Sequence, residues 1–572
     1  MRIRFIIRLA VLLFLFLLQE VKGYSQQADL ILINGKIFTS DTSQLIVAAL
    51  AIKGNKILAI GTNETIKKLA TSKTKKIDLK GKTVIPGFND AHDHLGWLVP
   101  EGKSFITPFS VPGLSKKAVI DSLSRLAKQA LPGQWVYGTI GLTVLNDTSI
   151  RRRLLDSIVP NHPVMLAIEW GHGLLLNTRA LRVCNIPDKA PDPLSGWYER
   201  QQGTGILTGA LYEGAQFPAW QAVAVSEPDN LLKALRLHAQ EEMVWGITTV
   251  QNMSSTLQGN AARKFFTLAK LPVRTRIIPM PGSTELGRNL AEWNNKITRL
   301  TSLTYVSGIK YVIDGTPLEQ TALMTKAYPN RDGWYGKLNF PIDTIKQILK
   351  EALTTDRQLM MHIVGDSSTK IILQLMKEMA SPEKWKSKRV RIEHGVSILT
   401  ASAMQDVKDM GIIIVHTPQY GKQSPLKKWL AMGIPVAIGP DALINPYLNI
   451  MFMTTQQADK EQNISREQAV IAYTKGSAYA EFAENYKGTL TPGKVADLAV
   501  LTRDIFTVPV QQLLSIQSVL TIIDGKIVYN KKKQNRLKRN KSLRTTGGWR
   551  YWGKTLLASA TVRYPIQFSA GR

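Results

Sequence analysis

The sequence predicts an α/β chain: a TIM-like (β/α)8 barrel, a small β-sandwich domain built from both chain ends, and an insert after barrel strand 1. Three observations carry this expectation. Short apolar runs alternate with helical stretches through the middle of the chain, and with the run leading into His92 they number eight. Both ends of the chain read as β alone. The first apolar run is separated from the second by about 140 residues, far more than a simple βα loop needs.

The amino terminus stands apart. Arg2, Arg4 and Arg8 precede the apolar run Leu9–Leu18, which is too short to span a bilayer, and small residues follow at Gly23 and Ser25. This is the pattern of a secretory signal peptide, assigned to 1–25, and it predicts an exported protein that is periplasmic or extracellular. From 26 to 84 the chain reads as the amino-terminal part of the sandwich. Strands such as Leu30–Ile33 and Ile37–Phe38 flank Asn34-Gly35, and similar hairpins turn at Gly54-Asn55 and Lys80-Gly81. Residues 486–530 answer them with Val495–Leu501 and Ser518–Ile523, the latter turning at Asp524-Gly525.

The barrel is assigned to 85–485, with its insert at about 100–235. Trp135–Tyr137 and Val164–Ile168 are apolar runs inside that insert, so it is a folded unit over the barrel mouth. Barrel runs then follow at Gly246–Val250, Val273–Ile278, Gly308–Ile313, Leu359–Ile363, Val390–Glu393, Ile412–Val415 and Val436–Ile438. Helical stretches separate most of them, for example Asp343–Leu353 and Ser368–Met379.

The formal net charge of +30 invites a nucleic-acid partner, but its distribution argues against one. The extension 531–572 holds 12 Lys and Arg and no acid, while elsewhere only Arg151-Arg152-Arg153 is a tight basic run. No zinc-finger, helix-turn-helix or aromatic–basic RNA motif is present, so nucleic acid is not an expected partner. The extension suits either weak contact with an anionic surface or a solvated tail. Cys184 is the single cysteine, so an exported chain has no internal disulfide and relies on its core.

The polar residues on the barrel runs point to chemistry. His92 and His94 are two apart on an extended segment, so both imidazoles face one side. Such a pair is half of a transition-metal site, although hydrogen-bonded surface histidines share the spacing. Lys310 lies in the fourth run, His362 in the fifth, His394 ends the sixth and Asp441 follows the eighth. Carboxyl ends of barrel strands converge on one pocket. The chain has 8 histidines, and finding His92, His94, His362 and His394 at such ends makes a shared site the better reading than separate core histidines.

On these residues the chain resembles the amidohydrolase superfamily, in particular the amidohydrolase-3 branch that includes N-substituted formamide deformylases. The likeness runs from about Ala28 to Asn530. It rests on Pro86-Gly-Phe-Asn-Asp-Ala-His92-Asp-His94, Gly308-Ile-Lys310, Met361-His362-Ile-Val-Gly365-Asp366, Arg391-Ile-Glu393-His394, Gly439-Pro-Asp441-Ala442 and Leu490–Asp497. The resemblance implies that His92, His94 and Asp441 hold a divalent metal, zinc by preference. It also implies that Lys310, carbamylated by CO2, bridges to a second ion on His362 and His394. A one-ion site with Lys310 as a plain cation is the other arrangement. Asp441 is the expected catalytic base, with His394 polarising the scissile carbonyl. His172, in Glu169-Trp-Gly-His172-Gly173, and Asp314 are candidate substrate contacts, and His416 is a further candidate.

Two positions depart from the pattern: Pro440 replaces a serine, and Leu443 a proline. The expected enzyme is an exported metal-dependent amidohydrolase that cleaves an amide or cyclic-amide C–N bond of a small molecule. The same site would serve an ester or lactone hydrolase, a deaminase or an isomerase. A non-catalytic surface-binding protein on this fold is the alternative from another class. Oligomeric state is left open.

Overall fold

Parallel strands with both faces buried form the centre of the molecule, and their apolar composition explains why. Ile413–His416, for example, is wholly buried, as a strand covered by helices on one side and neighbours on the other must be. The computed structural model describes residues 27–96, 104–105, 113–168, 171–290, 297–329, 331–441, 445–455 and 458–534. The predicted signal peptide, Leu443 and nearly all of the basic extension lie outside the described residues.

β1 (Phe88–Asp93), β2 (Ile247–Ser254) and β3 (Arg274–Pro279) pair in parallel in chain order. β4 (Ile309–Val312), β5 (Leu359–His362), β6 (Arg391–His394), β7 (Ile413–His416) and β8 (Val436–Ile438) form a second parallel series. The series meet at a break ahead of β4. Thr304–Val306 pairs with β3, the Ser307 N–H donates to the Ile277 carbonyl at 3.0 Å, and after Gly308 the chain runs beside β5. Gly308 has φ +77°, and a Cβ there would stand 2.8 Å from Met360 Cε and 2.9 Å from Arg276 Nη2, so the bend needs glycine. At the other seam the Asp441 N–H donates to the His92 carbonyl at 2.9 Å. Gly439 lies against His92 there, where any Cβ would collide with the histidine's own. The architecture is α/β and of TIM-barrel type.

Helices between the strands bury one apolar stripe each. Ile342–Thr354 turns Ile345, Ile348, Leu349 and Ala352 inward, the i, i+3, i+4, i+7 spacing of a half-buried helix. The helix before β2 is α1 (Pro228–Trp245). Pro228 starts it where a missing N–H is harmless, and Gly246, left-handed at φ 84°, stops it. Leu231, Leu235, Ala239 and Met243 of α1 share one apolar cluster with Ile247 and Val250 of β2. The insert boundary expected at about 235 therefore falls inside a helix that packs on the strands.

Between β1 and α1 the chain forms a six-stranded sheet. Its order is Gly196–Arg200, Leu207–Glu213, Gly173–Leu176, Val164–Ile168, Val136–Ile140, Ser104–Phe105. Alternation gives it two apolar faces: Val164, Leu166 and Ile168 point into one cluster, Met165 and Ala167 into the other. The chain ends mix within a further six-stranded sheet, in which Leu498–Leu501 pairs antiparallel with Thr83–Pro86 directly ahead of β1. A four-stranded sheet of Leu30–Ile33, Ala49–Lys53, Lys56–Gly61 and Lys75–Asp78 shares an apolar cluster with it, including Leu32, Leu50, Val84, Leu498 and Ile522. Among the described residues no helix is long and apolar enough to cross a membrane.

Candidate active site

His92, His94, Lys310, His362, His394 and Asp441 gather at the carboxyl ends of the parallel strands. The Nε2 of His92 lies 2.8 Å from Lys310 Nζ and 3.2 Å from Asp441 Oδ1. His94 Nε2 reaches the same Asp441 oxygen at 3.1 Å. On the far side His394 Nε2 is 2.9 Å from His362 Nδ1, and the His92 and His394 rings are 5.1 Å apart. Donor atoms of His92, His394 and Asp441 all fall within 4.8 Å of one another.

Three of these imidazoles are held by the nitrogen that faces away from the centre. His92 Nδ1 donates to Glu393 Oε2 at 2.6 Å, while His94 Nδ1 is 3.0 Å from Ser255 Oγ and His394 Nδ1 3.0 Å from Thr417 Oγ1, hydroxyls that can accept or donate. Where Nδ1 carries the proton and an ion takes the place of any proton on Nε2, each Nε2 presents a lone pair inward, as a metal ligand must. Glu393 is itself clamped by Arg391, whose Nε donates to its Oε1 at 2.8 Å. Glu393 lies within one of the sequence motifs, yet the sequence alone gives it no role. Its partner His92 is 301 positions away, which sequence spacing does not reveal.

Electrostatics favour the same arrangement. Burial pulls the His394 imidazole down to about 3 and holds His362 well below its ordinary value, so both are neutral at physiological pH. Burial also lowers His94. For Asp441, burial opposes the charge, yet His92 and His94 hold its carboxyl well below the usual range. Glu393 behaves likewise, kept ionised against burial by Arg391 and His92. Lys310 is pulled down to about 8, chiefly by burial, with Asp441 and Glu393 acting the other way. Neutral imidazoles, a fixed carboxylate and a lysine that loses its proton readily make a donor set that fits a divalent metal.

Backbone strain gathers at the same place. His394 has φ 73° and Asp441 φ 64°, left-handed values that side-chain-bearing residues rarely adopt. For Asp441 the turn lets its N–H bond His92 while its carboxylate returns to the same histidine.

The insert reaches the centre through His172, whose ring is 5.0 Å from that of His362. Its Nδ1 lies 3.0 Å from Glu213 Oε2. Burial works against its charge, but Glu213 raises it to about 9, so a cation faces the pocket. Glu213, which sequence reasoning missed, ends a strand of the insert at φ 53°. Asp314 is bonded to the backbone around it. Its carboxylate accepts the N–H groups of Leu323, Val364 and Gly365 and the Ser368 hydroxyl at 2.7–3.2 Å, which pins the loop after β5. His416 is buried edge-on against Trp429 with neither ring nitrogen bonded among the described residues, and burial lowers it to about 4. It is not brought into the cluster.

Imidazoles and a carboxylate meeting where parallel strands end define a metal-dependent hydrolase of TIM-barrel type. The chain belongs to the amidohydrolase family, which matches residues 75–529, and with it to the hydrolases of carbon–nitrogen bonds other than peptide bonds. It is 24% identical over 559 residues to the N-substituted formamide deformylase of Arthrobacter pascens, covering 89% of this chain and 99% of that one. It is 26% identical over 553 residues to Protein LONG AFTER FAR-RED 3 of Arabidopsis thaliana, covering 88% and 92% respectively. A solved metal-dependent hydrolase from Pyrococcus horikoshii OT3 has the same fold, with TM-score 0.64, 22% identity, and 84% of this chain and 99% of that chain covered.

Proposed function

We propose that this protein is an exported amidohydrolase that cleaves the amide bond of a small N-acyl or N-formyl amine, or a cyclic amide, in a closed (β/α)8 barrel. The observation that carries the reading is Asp441 Oδ1, shared between His92 Nε2 at 3.2 Å and His94 Nε2 at 3.1 Å. Bound among these residues, a divalent cation, zinc by its nitrogen-rich donor set, supplies Lewis acidity that acidifies water and polarises a carbonyl.

The chain's own residues supply the proton traffic. Asp441, ionised and fixed by two imidazoles, takes the proton from the attacking water and returns it to the leaving nitrogen. His394 has two uses, set by the Thr417 hydroxyl. When Thr417 accepts from Nδ1, Nε2 is a ligand; when Thr417 donates to Nδ1, Nε2–H is turned to a developing oxyanion. Lys310, lowered to about 8, holds a usable fraction of free amine at neutral pH. That amine would add CO2 with loss of one proton, and the carbamate would then join His362 and His394 as residues able to hold a second ion. The formamide relative supports an N-formyl or short acyl substrate, and the insert over the pocket sets its size. The leading segment 1–25 supports export, and the tail's one-sided charge supports weak attachment to an anionic surface.

Turnover of N-formyl amines, longer N-acyl amines, cyclic amides and esters by the purified chain tests the reading. Amide turnover is expected to vanish on chelation and return with Zn2+. Full amide activity in metal-free protein, or ester turnover alone, would overturn it.

A further inference from the structure

Asp93, the middle residue of the His92-Asp93-His94 motif, has no part in the centre described above. Its side chain leaves the opposite face of β1 and meets α1. A β-bulge helps to aim it: between Asp90 and Asp93 β1 uses one residue more than β2 does between Val250 and Asn252. Opposite stand His238 and Glu242, one turn apart on the buried face of α1.

We propose that Asp93, His238 and Glu242 form a second divalent-cation site, of one nitrogen and two carboxylates, which locks α1 to the outer face of the strand that carries His92 and His94. All three are buried, Asp93 at 0%, Glu242 at 1% and His238 at 6% exposure, and their donor atoms lie within 4.8 Å of one another. His238 Nε2 stands 3.0 Å from Asp93 Oδ2 and 3.3 Å from Glu242 Oε1. Both contacts are ion pairs, but neither is well aligned as a hydrogen bond. Asp93 Oδ2, His238 Nε2 and Glu242 Oε2 are all without a hydrogen-bond partner among the described residues. Three buried polar atoms held by misaligned ion pairs, with their hydrogen bonds unmade, are better satisfied by an ion seated between them. Ligands bound at ~2.0–2.2 Å around a tetrahedral ion stand roughly 3.3 Å apart, close to the separations seen.

Charge points the same way. Asp90 brings a third buried carboxyl close to Asp93 and Glu242. Among the described residues no lysine or arginine pairs with any of the three, and a single imidazole faces them. Against burial, Asp93 and Glu242 raise His238 to about 10, so its imidazolium already supplies one positive charge to this group, and a divalent ion would take the place of that proton. The nitrogen and oxygen donors suit zinc or manganese rather than calcium. Its consequence for the active site is positional. Asp93 Oδ1 accepts the His94 N–H at 2.8 Å, so an ion on the other oxygen would fix the backbone from which His94 projects.

Zn2+ is the probe for the test, with metal counted per chain after stripping and reloading. Wild type is expected to hold one zinc more than His238→Gln/Glu242→Gln. A His394→Ala/Asp441→Ala variant, depleted at the active site, is expected to keep that extra zinc, so failure of the catalytic reading and failure of this one are separable. Crystals of zinc-loaded wild type need no substitution and are expected to show an anomalous peak in bonding reach of His238 Nε2. Equal zinc in wild type and His238→Gln/Glu242→Gln, or an anomalous map with no peak at His238, would overturn the second site.

Discussion

Glu393 decides which nitrogen His92 offers to the centre. Its carboxylate accepts a hydrogen bond from Nδ1–H at 2.6 Å, and Arg391 keeps it ionised, so Nε2 is the nitrogen left to act inward. Glu393→Gln removes the charge with little change of shape and leaves Arg391 without its ionic partner. Zinc affinity, measured by competition with a chromophoric chelator, is expected to fall about 10- to 100-fold, the usual range for a lost second partner of a ligand histidine. Unchanged affinity would show that Glu393 serves the fold alone. Asp441→Asn asks a different question, because asparagine keeps the size but cannot take a proton. Its rate of chemistry is expected to drop at least about a hundredfold while His92 and His94 keep part of the metal. A metal-replete variant working at the wild-type rate would remove Asp441 as the base.

At the scale of elements, the opposite end of the parallel strands is tied by Glu481. Asn89 Nδ2 donates to its Oε1 at 2.6 Å, the Tyr305 hydroxyl to its Oε2 at 2.5 Å, and Lys487 Nζ lies 2.7 Å from Oε1. One carboxylate thereby joins β1, the strand ahead of β4 and the segment that returns to the terminal sheets. Burial opposes its charge, but Lys487 holds its pKa below the ordinary value. A depressed carboxylate stabilises the fold above its unfolded pKa, and that contribution is lost as pH falls through the lower folded value. Glu481→Gln is expected to cost about 3–5 kcal/mol near neutrality, the scale of a broken buried pair. The gap in melting temperature from wild type should narrow below about pH 4.5, and a gap independent of pH would count against the ionic account.

These elements show what sequence can and cannot carry. The β5, β7 and β8 runs are legible because Leu359–Met361, Ile413–Val415 and Val436–Ile438 are unbroken apolar segments, whereas β6 has only Ile392 between Arg391 and Glu393 and is legible from its place in the series. His92 and His94 are legible because strand geometry turns a two-residue spacing into one face. Thr304–Val306 is not legible as a strand. Its three residues are too few to stand out, and pairing with β3 and with Thr298–Arg299 makes them one. The roles of Glu393, Glu213 and Asp314 are hidden for another reason. Each depends on a partner brought close by the fold: His92, His172 and the loop at Val364 and Gly365.

The whole molecule depends on strands from its two ends lying in one sheet. Ser518–Ile523 covers Leu498–Leu501, which covers Thr83–Pro86, which runs straight into β1. A chain shortened after Asn530 is expected to keep turnover of a soluble substrate and to lose salt-sensitive binding to anionic vesicles. A chain shortened after Thr502 lacks two strands of the sheet and buries less of the shared cluster that includes Val84 and Leu498. It is expected to show no cooperative thermal transition, and a folded, zinc-binding product would show that the terminal sheets are dispensable.

That same pairing has a consequence in time. Val84 must wait for Val500, more than four hundred residues later in the chain. At roughly 5–20 residues per second, a ribosome needs tens of seconds to supply the partner. Throughout that interval the strand that anchors β1 has an open edge, and the two histidines beyond it have no fixed frame. A nascent chain in this state is slow to close, because the strand that completes the sheet is among the last to be made.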